Sequence, residues 1–335
     1  MAKTTVVTGA AGFIGRNVVA ELNRRGHTDL LLVDDLGTDD KWRNLVGLQF
    51  EDILSPAEFL SRIHGIGMAS LPEIDGIVHM GACSATTERD ADYLLRNNYA
   101  YTRAVCDYAQ HHRARFVYAS SAATYGDGSL GYDDADAVTP SLQPLNMYGY
   151  SKHLFDLAAL RHGLFQQAEN PIAGLKYFNV YGPCEDHKGD MRSVVNKSFG
   201  QIVQNGTVQL FKSHRPDYAD GEQMRDFVYV QDAVNVTLFL LEQRGIGGLF
   251  NCGTGISRTW RDLVTAVYAA MGRPAKIDYI DMPAELRDKY QYYTQARPDK
   301  LRAAGYTAPF ITLEDGVRAY VQTYLQPRLQ SDKTP

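Results

Sequence analysis

Tyr148 and Lys152, in the segment "YGYSK" at 148–152, stand four residues apart. On a helix that spacing puts both side chains on one face. A free tyrosine has a pKa of about 10 and is a poor base near neutrality. A neighbouring ammonium favours the phenolate. Tyr148 beside Lys152 is then a group able to take or return the proton of a carbinol. Tyr150 has no equivalent partner, because position 154 is a leucine. Ser121, in "SSAATYG" at 120–126, ends an apolar run and can hydrogen-bond the same substrate oxygen. A Tyr-x-x-x-Lys pair alone is common and reads as helix-surface decoration. Its weight comes from what precedes it.

The segment "TGAAGFIG" places Gly9, Gly12 and Gly15 after an apolar strand and at the mouth of an amphipathic helix. Glycines let the backbone approach a pyrophosphate, and the helix N-terminus offers free N–H groups. The spacing is GxxGxxG rather than GxGxxG. Asp34 follows about 20 residues later, where a carboxylate accepts from an adenosine ribose; that rule alone reads as NAD. Lys41 and Arg43 come soon after, and a 2′-phosphate wants cations. The residues therefore leave NAD and NADP open. "GACSATT" at 81–87 offers small residues beside a cofactor, and Asn97 and Asn98 are placed to bridge backbone.

These residues need a scaffold. Apolar runs at 4–9, 29–35, 76–82, 115–121 and 173–182 alternate with helical patterns. Such alternation predicts a parallel sheet with helices on both faces, and the unbroken apolar character of the runs fits strands buried on both sides. After residue 180 the pattern is less regular. "VQLF", "RDFVYV" and "GLFNCGTG" read as strands, and "QDAVNVTLFLLEQ" and "TWRDLVTAVYAAMG" as helices. The expected division is a nucleotide-binding part, 1–180, whose sheet is completed by segments within about 226–255, and a substrate lobe, mainly 181–330, discontinuous in the chain.

Composition narrows the class. The chain has 335 residues, 44% hydrophobic and 22% charged, with a formal net charge of -5. It has no basic run long enough to track a nucleic acid. Its apolar stretches fall short of a membrane span, and the N-terminus lacks the apolar region of a signal peptide. The expectation is a cytoplasmic protein. Cys83, Cys106, Cys184 and Cys252 are widely spaced and read as reduced thiols, with no metal site.

The glycine turn, the serine at a strand end and the Tyr-Lys pair, in that order, resemble the extended short-chain dehydrogenase/reductase family over nearly the whole chain. The resemblance implies a Rossmann-type doubly wound parallel sheet with a smaller C-terminal α/β substrate lobe. It also implies a bound nicotinamide nucleotide and a nucleotide-sugar substrate. Members that eliminate water commonly carry an Asp-Glu pair after the serine strand. Here Ala122, Ala123 and Thr124 stand there, which disfavours dehydration and leaves redox epimerisation. The segments "GACSATTERD", "YFNVYGPCEDHKGDM" and "YQYYTQA" further resemble the branch of that family acting on ADP-sugars.

That branch implies NADP, with Lys41 on the 2′-phosphate, and a homo-oligomer, a homopentamer by resemblance. Carried onto this sequence, Tyr148 is the base, Lys152 holds the nicotinamide ribose and Ser121 lies beside them. Further cofactor contacts are implied at Phe13, Ile14, Asp34, Asp35, Lys41, Gly81, Ala82, Cys83, Ser84, Asn97 and Val180. Substrate contacts are implied at Ser121, Asn179, Lys197, Phe211, Arg225 and Tyr290. Asp190 and the loop residues Lys212, Ser213 and His214 are the remaining substrate candidates. Arg225 suits a diphosphate because its guanidinium is planar and permanently charged. Lys188, in an otherwise ordinary polar loop, matches the position of a second base and of a cofactor contact. Two other readings stand beside this one: a UDP-hexose 4-epimerase, and a non-catalytic nucleotide-binding regulator.

Overall fold

The computed structural model describes residues 3–66, 70–287 and 290–331. Seven parallel strands form its main sheet, in the spatial order β10-β6-β5-β4-β1-β2-β3. They are β1 (Thr4–Thr8), β2 (Leu30–Val33), β3 (Asp52–Leu54), β4 (Ile74–His79), β5 (Arg115–Ser121), β6 (Ala173–Tyr177) and β10 (Gly248–Cys252). The order reverses after β1, between its neighbours β2 and β4. In open parallel sheets ligands bind at such a switch, beyond the C-terminal strand ends. Val6, Val7, Leu32, Ile77, Val78, Phe116 and Val117 are fully or almost fully buried. Burial on both faces is why these strands read as continuous apolar runs.

The helices on either face place the site. Phe13–Arg24 follows β1 with Gly12 as its N-cap, and no side chain caps its first turn. Met147–Arg161 starts at Asn146, whose side chain accepts from the Gly149 amide at 2.8 Å. Gly149 lets this helix close on the turn after β5, because a Cβ there would stand 2.7 Å from the Ala123 carbonyl oxygen. The helix between β4 and β5 runs through Ala91–Leu94, Leu95–Ala100 and Tyr101–His111, the middle turn wound as a π-helix.

The run 173–182, expected as one strand, is two. β6 ends at Tyr177. Phe178 is buried and its amide donates to the Cys252 carbonyl, while the Val180 amide folds back to the Phe178 carbonyl. β7 (Asn179–Tyr181) then leaves the main sheet and pairs with β9 (Met224–Tyr229). The break carries Asn179 and Val180 across the mouth of the sheet. β9 also pairs with β11 (Ser257–Thr259), and β8 (Val208–Phe211) with β12 (Ile277–Ile280). These later segments have their own core, built from Val195, Phe199, Leu263, Val267, Val317 and Tyr320. The expected run 29–35 also shortens: β2 stops at Val33, so Asp34 and Asp35 lie just beyond the strand end.

Candidate active site

A cleft of about 750 Å³ opens over the C-terminal ends of β1, β4 and β5. Gly9, Gly12, Phe13, Ile14 and Gly15 form one end of its lining. Gly9 has φ +64, and a Cβ there would meet the Gly81 amide nitrogen at 2.7 Å; one at Gly15 would meet the Gly9 carbonyl oxygen at 2.1 Å. The turn is therefore packed too tightly for side chains and presents bare backbone to the cleft. With the uncapped helix above it, this cradle fits a dinucleotide pyrophosphate.

Asp34 and Lys41 also line this end. One carboxylate oxygen of Asp34 accepts the Ala11 amide at 2.8 Å; the other lies 2.6 Å from Lys41 Nζ. Asp35 is exposed and contributes its carbonyl to the same ammonium at 2.9 Å. Gly81, Ala82, Cys83 and Ser84 form the floor after β4. Asn98, rather than Asn97, holds that loop: its amide oxygen accepts the Cys83 amide, and its amide nitrogen donates to the Cys83 carbonyl and to the Ser151 hydroxyl. Asn97 makes one bond, to Asn98, and lies outside the cleft lining.

Ser121, Tyr148 and Lys152 meet in the middle of the cleft. The Ser121 hydroxyl lies beside the Tyr148 phenol, where it favours the phenolate, and accepts the Ala123 amide at 3.1 Å. Lys152 Nζ donates to the Ala119 carbonyl at 2.9 Å. Burial pushes Lys152 down to about 8, and the Asp156 carboxylate pulls it back up. Burial pushes Tyr148 up, with the Ser121 hydroxyl opposing. The expected lowering of Tyr148 combines the Lys152 ammonium with the positive charge of a bound nicotinamide; in the protein alone, burial of the phenol dominates. Tyr150 points to solvent, 45% exposed.

Lys188 lines the same cleft, with Asn179 and Val180. Its ammonium stands over the Phe13 ring, 5.2 Å from the centroid. Burial lowers its pKa, Glu185 raises it and Lys197 lowers it further. Lys197 itself is half-buried on the helix Val194–Asn205 and lies outside the lining, and Asp190 is exposed beside Gly189. The Lys188 loop is tied to the nucleotide end by Asn17, which donates to the Pro183 carbonyl, and by Asn44, which bonds the Ala11 carbonyl and His187.

Arg225 is buried, not paired with Asp226, and lies between Trp260 and Tyr290, with its guanidinium carbon 5.6 and 5.2 Å from the two ring centroids. Asp226 instead binds Thr254, Gly255 and Ala296. Arg225, Tyr290 and Phe211 sit behind the lining, which Trp260 reaches. The loop residues diverge. Lys212 pairs with Asp281, the Ser213 amide donates to Asp220, and the His214 amide donates to the Tyr292 hydroxyl. None of the three lines the cleft.

Sequence reasoning passed over His187, Phe227, Trp260, Gln291 and Thr294, all of which line the cleft. Trp260 was legible only as a helix start. Asn44 carried no local signal, since its partners Cys184 and His187 are more than a hundred residues away. Among the described residues the one carboxylate in the lining is Asp34, at the nucleotide end. Ala122 and Ala123 line the wall where an eliminating enzyme needs an acid.

A glycine cradle and a Ser-Tyr-Lys set with no acid beside it make up a site suited to nicotinamide-dependent redox chemistry at a carbinol. Residues 5–253 match the model of the NAD dependent epimerase/dehydratase family, and the chain belongs to that family. It is similar to the ADP-L-glycero-D-manno-heptose-6-epimerase of Nitratidesulfovibrio vulgaris, with 56% identity over 96% of this chain and 97% of the relative. The protein of that name from Fusobacterium nucleatum is 43% identical over 96% of this chain and 97% of its own length. The solved structure of the Helicobacter pylori ADP-L-glycero-D-manno-heptose-6-epimerase superposes with a TM-score of 0.78 at 26% identity, covering 98% of this chain and 96% of that one.

Proposed function

We propose that the chain inverts C6 of ADP-D-glycero-β-D-manno-heptose to give the L-glycero epimer, by transient oxidation to a 6-ketone and re-reduction, supplying heptose for the inner core of lipopolysaccharide. What supports this reading is that two groups able to handle a proton, Tyr148 and Lys188, line one cleft whose only carboxylate among the described residues is Asp34. A bound nicotinamide nucleotide supplies the hydride acceptor and donor. Two epimers present opposite faces of C6 to one fixed ring, so their hydroxyls point apart. Tyr148, steadied by Ser121, serves one hydroxyl. Lys188, its ammonium weakened by burial, serves the other. Lys152 holds the ribose side of the cofactor. Asn179 orients the sugar; Arg225 and Tyr290, which the resemblance assigns to the substrate, stand just behind the lining residue Trp260.

NADP is the preferred nucleotide in this reading: the resemblance favours it, and Lys41, paired with Asp34 at the nucleotide end of the cleft, is the cation proposed for the 2′-phosphate. The nucleotide part in this reading is 1–180, its sheet completed by later segments that include β10, and the substrate lobe is mainly 181–330, discontinuous in the chain. A cytoplasmic homo-oligomer, as a homopentamer, belongs to the same proposal; among the described residues no helix is long and apolar enough to cross a membrane. NMR of ADP-D-glycero-D-manno-heptose incubated with the protein tests the reaction. Inversion at C6 alone is expected. An unchanged spectrum together with turnover of UDP-galactose would replace it with the 4-epimerase reading.

A further inference from the structure

The helix that carries Tyr148 and Lys152 is hydrogen-bonded to β5 on two successive turns of one face, those of Lys152 and Asp156. Tyr148, one turn earlier, lies beside Ser121, and Lys152 Nζ donates to the Ala119 carbonyl at 2.9 Å. Four residues on, Asp156 continues that face. Its two carboxylate oxygens accept from the Tyr118 hydroxyl at 2.8 Å and the Ser120 hydroxyl at 2.7 Å. Asp156 is fully buried.

Its counter-charge comes from the next strand. Lys176 lies beside Ser120 in the β5–β6 register, is also fully buried, and holds Nζ 3.4 Å from Asp156 Oδ2. Lys176 also donates to the Thr124 hydroxyl at 2.7 Å and stands over the Tyr125 ring at 4.6 Å. The Thr124 hydroxyl donates to the Ser121 carbonyl at 2.8 Å. The contacts run from Asp156 through Lys176 and Thr124 to Ser121, the residue beside Tyr148. An apolar pair of the same volume would generally make a core at least as stable, since burying two charges costs about as much as their attraction returns. Stability alone gives little reason for the pair. Its place between three site residues does.

We propose that Asp156 is a positioning residue for the reaction, locking the helix of Tyr148 and Lys152 to the strand end of Ser121, with Lys176 holding its charge in place. The inference rests on the redox reading of Tyr148 and Lys152. Electrostatics agree with the geometry, because Asp156 is the main charge that keeps Lys152 protonated against burial. The other titratable groups in contact are accounted for. Asp156 acts on His153, Tyr118 and Tyr125. Lys152 also feels Cys83 and acts on His79. Lys176 feels Asp134 and Lys300.

The test uses Asp156→Asn, Lys176→Met and the double variant. Three quantities are read: kcat and KM against pH, the titration of Lys152 by acetic anhydride labelling of the full chain, and the melting temperature. Lys152 is 6% exposed at the cleft lining, so it is labelled after the nucleotide has been removed from the full chain. For Asp156→Asn, kcat falls about tenfold near neutrality with KM for the sugar unchanged. The alkaline limb and the Lys152 titration both move down by about one pH unit. The double variant, with no stranded charge, melts closer to wild type and keeps both displacements. If the single variants fail to fold, the double decides. A folded double variant with wild-type kcat, pH profile and Lys152 titration reduces the network to core packing. If the wild-type protein does not invert the sugar, the functional reading fails, and the labelling arm still judges the network.

Discussion

Lys41 Nζ lies 2.6 Å from Asp34 Oδ1, while the second oxygen of that carboxylate accepts the Ala11 amide. The acid that would read a ribose is thus half-used by backbone and half-neutralised by a cation. Lys41→Ala is expected to weaken NADP binding at least tenfold, in line with loss of a charge-assisted contact of about 1.5–3 kcal/mol, and to leave NAD binding nearly unchanged. Calorimetric titration with both nucleotides checks this. Equal losses would mean that Lys41 does not read the 2′-phosphate.

Lys188→Met is expected to retain the nucleotide and lower kcat by about 10²–10⁴, the usual worth of a positioned acid or base. Tyr148→Phe should fall in the same range. Activity and released nucleotide are measured on the same preparations. A near-native rate for Lys188→Met would return this residue to loop decoration.

Arg225 is held between two aromatic rings, so its planar guanidinium does what an ammonium does not. Arg225→Lys is expected to raise KM for the ADP-sugar about tenfold with a much smaller change in kcat, the pattern of lost uniform binding. Steady-state kinetics separate the two constants. A loss confined to kcat would contradict a binding role.

Gly15→Ala places a methyl 2.1 Å from the Gly9 carbonyl oxygen. Backbone stands on both sides, so neither side can yield cheaply. A loss of about 1–3 kcal/mol is expected, as for other overpacked positions, together with weaker nucleotide retention. Denaturant titration with and without added nucleotide measures both.

His79 is buried between the Thr8 and Thr102 hydroxyls, and burial pushes its pKa down to about 3. The folded value lies below the unfolded one, about 6.5. The stability this neutral imidazole contributes is therefore full above pH 6.5 and is lost as pH falls toward 3, reaching a few kcal/mol at about 1.4 kcal/mol per unit. Urea midpoints between pH 7 and pH 4 should fall less steeply for His79→Asn than for wild type. Parallel slopes would show that other groups carry the acid sensitivity.

The sheet was legible in the sequence because buried parallel strands must be apolar along their whole length, and the glycine turn because only bare backbone fits there. Tyr148 and Lys152 were legible because helical spacing is a local property. The break at Phe178 was not, since it depends on a carbonyl at Cys252. Nor was Asn98's hold on the Cys83 loop, or the Asp156–Lys176 pair, because no local pattern marks which distant residues will meet. Lys188 shows the division most plainly. Its type and place were written in the chain, but a lysine's chemistry depends on its solvent and neighbours. The order of the residues determined which groups were available. Only the tertiary structure, by packing that loop against Phe13 and the nucleotide turn, decided that this ammonium is partly buried and lines the cleft.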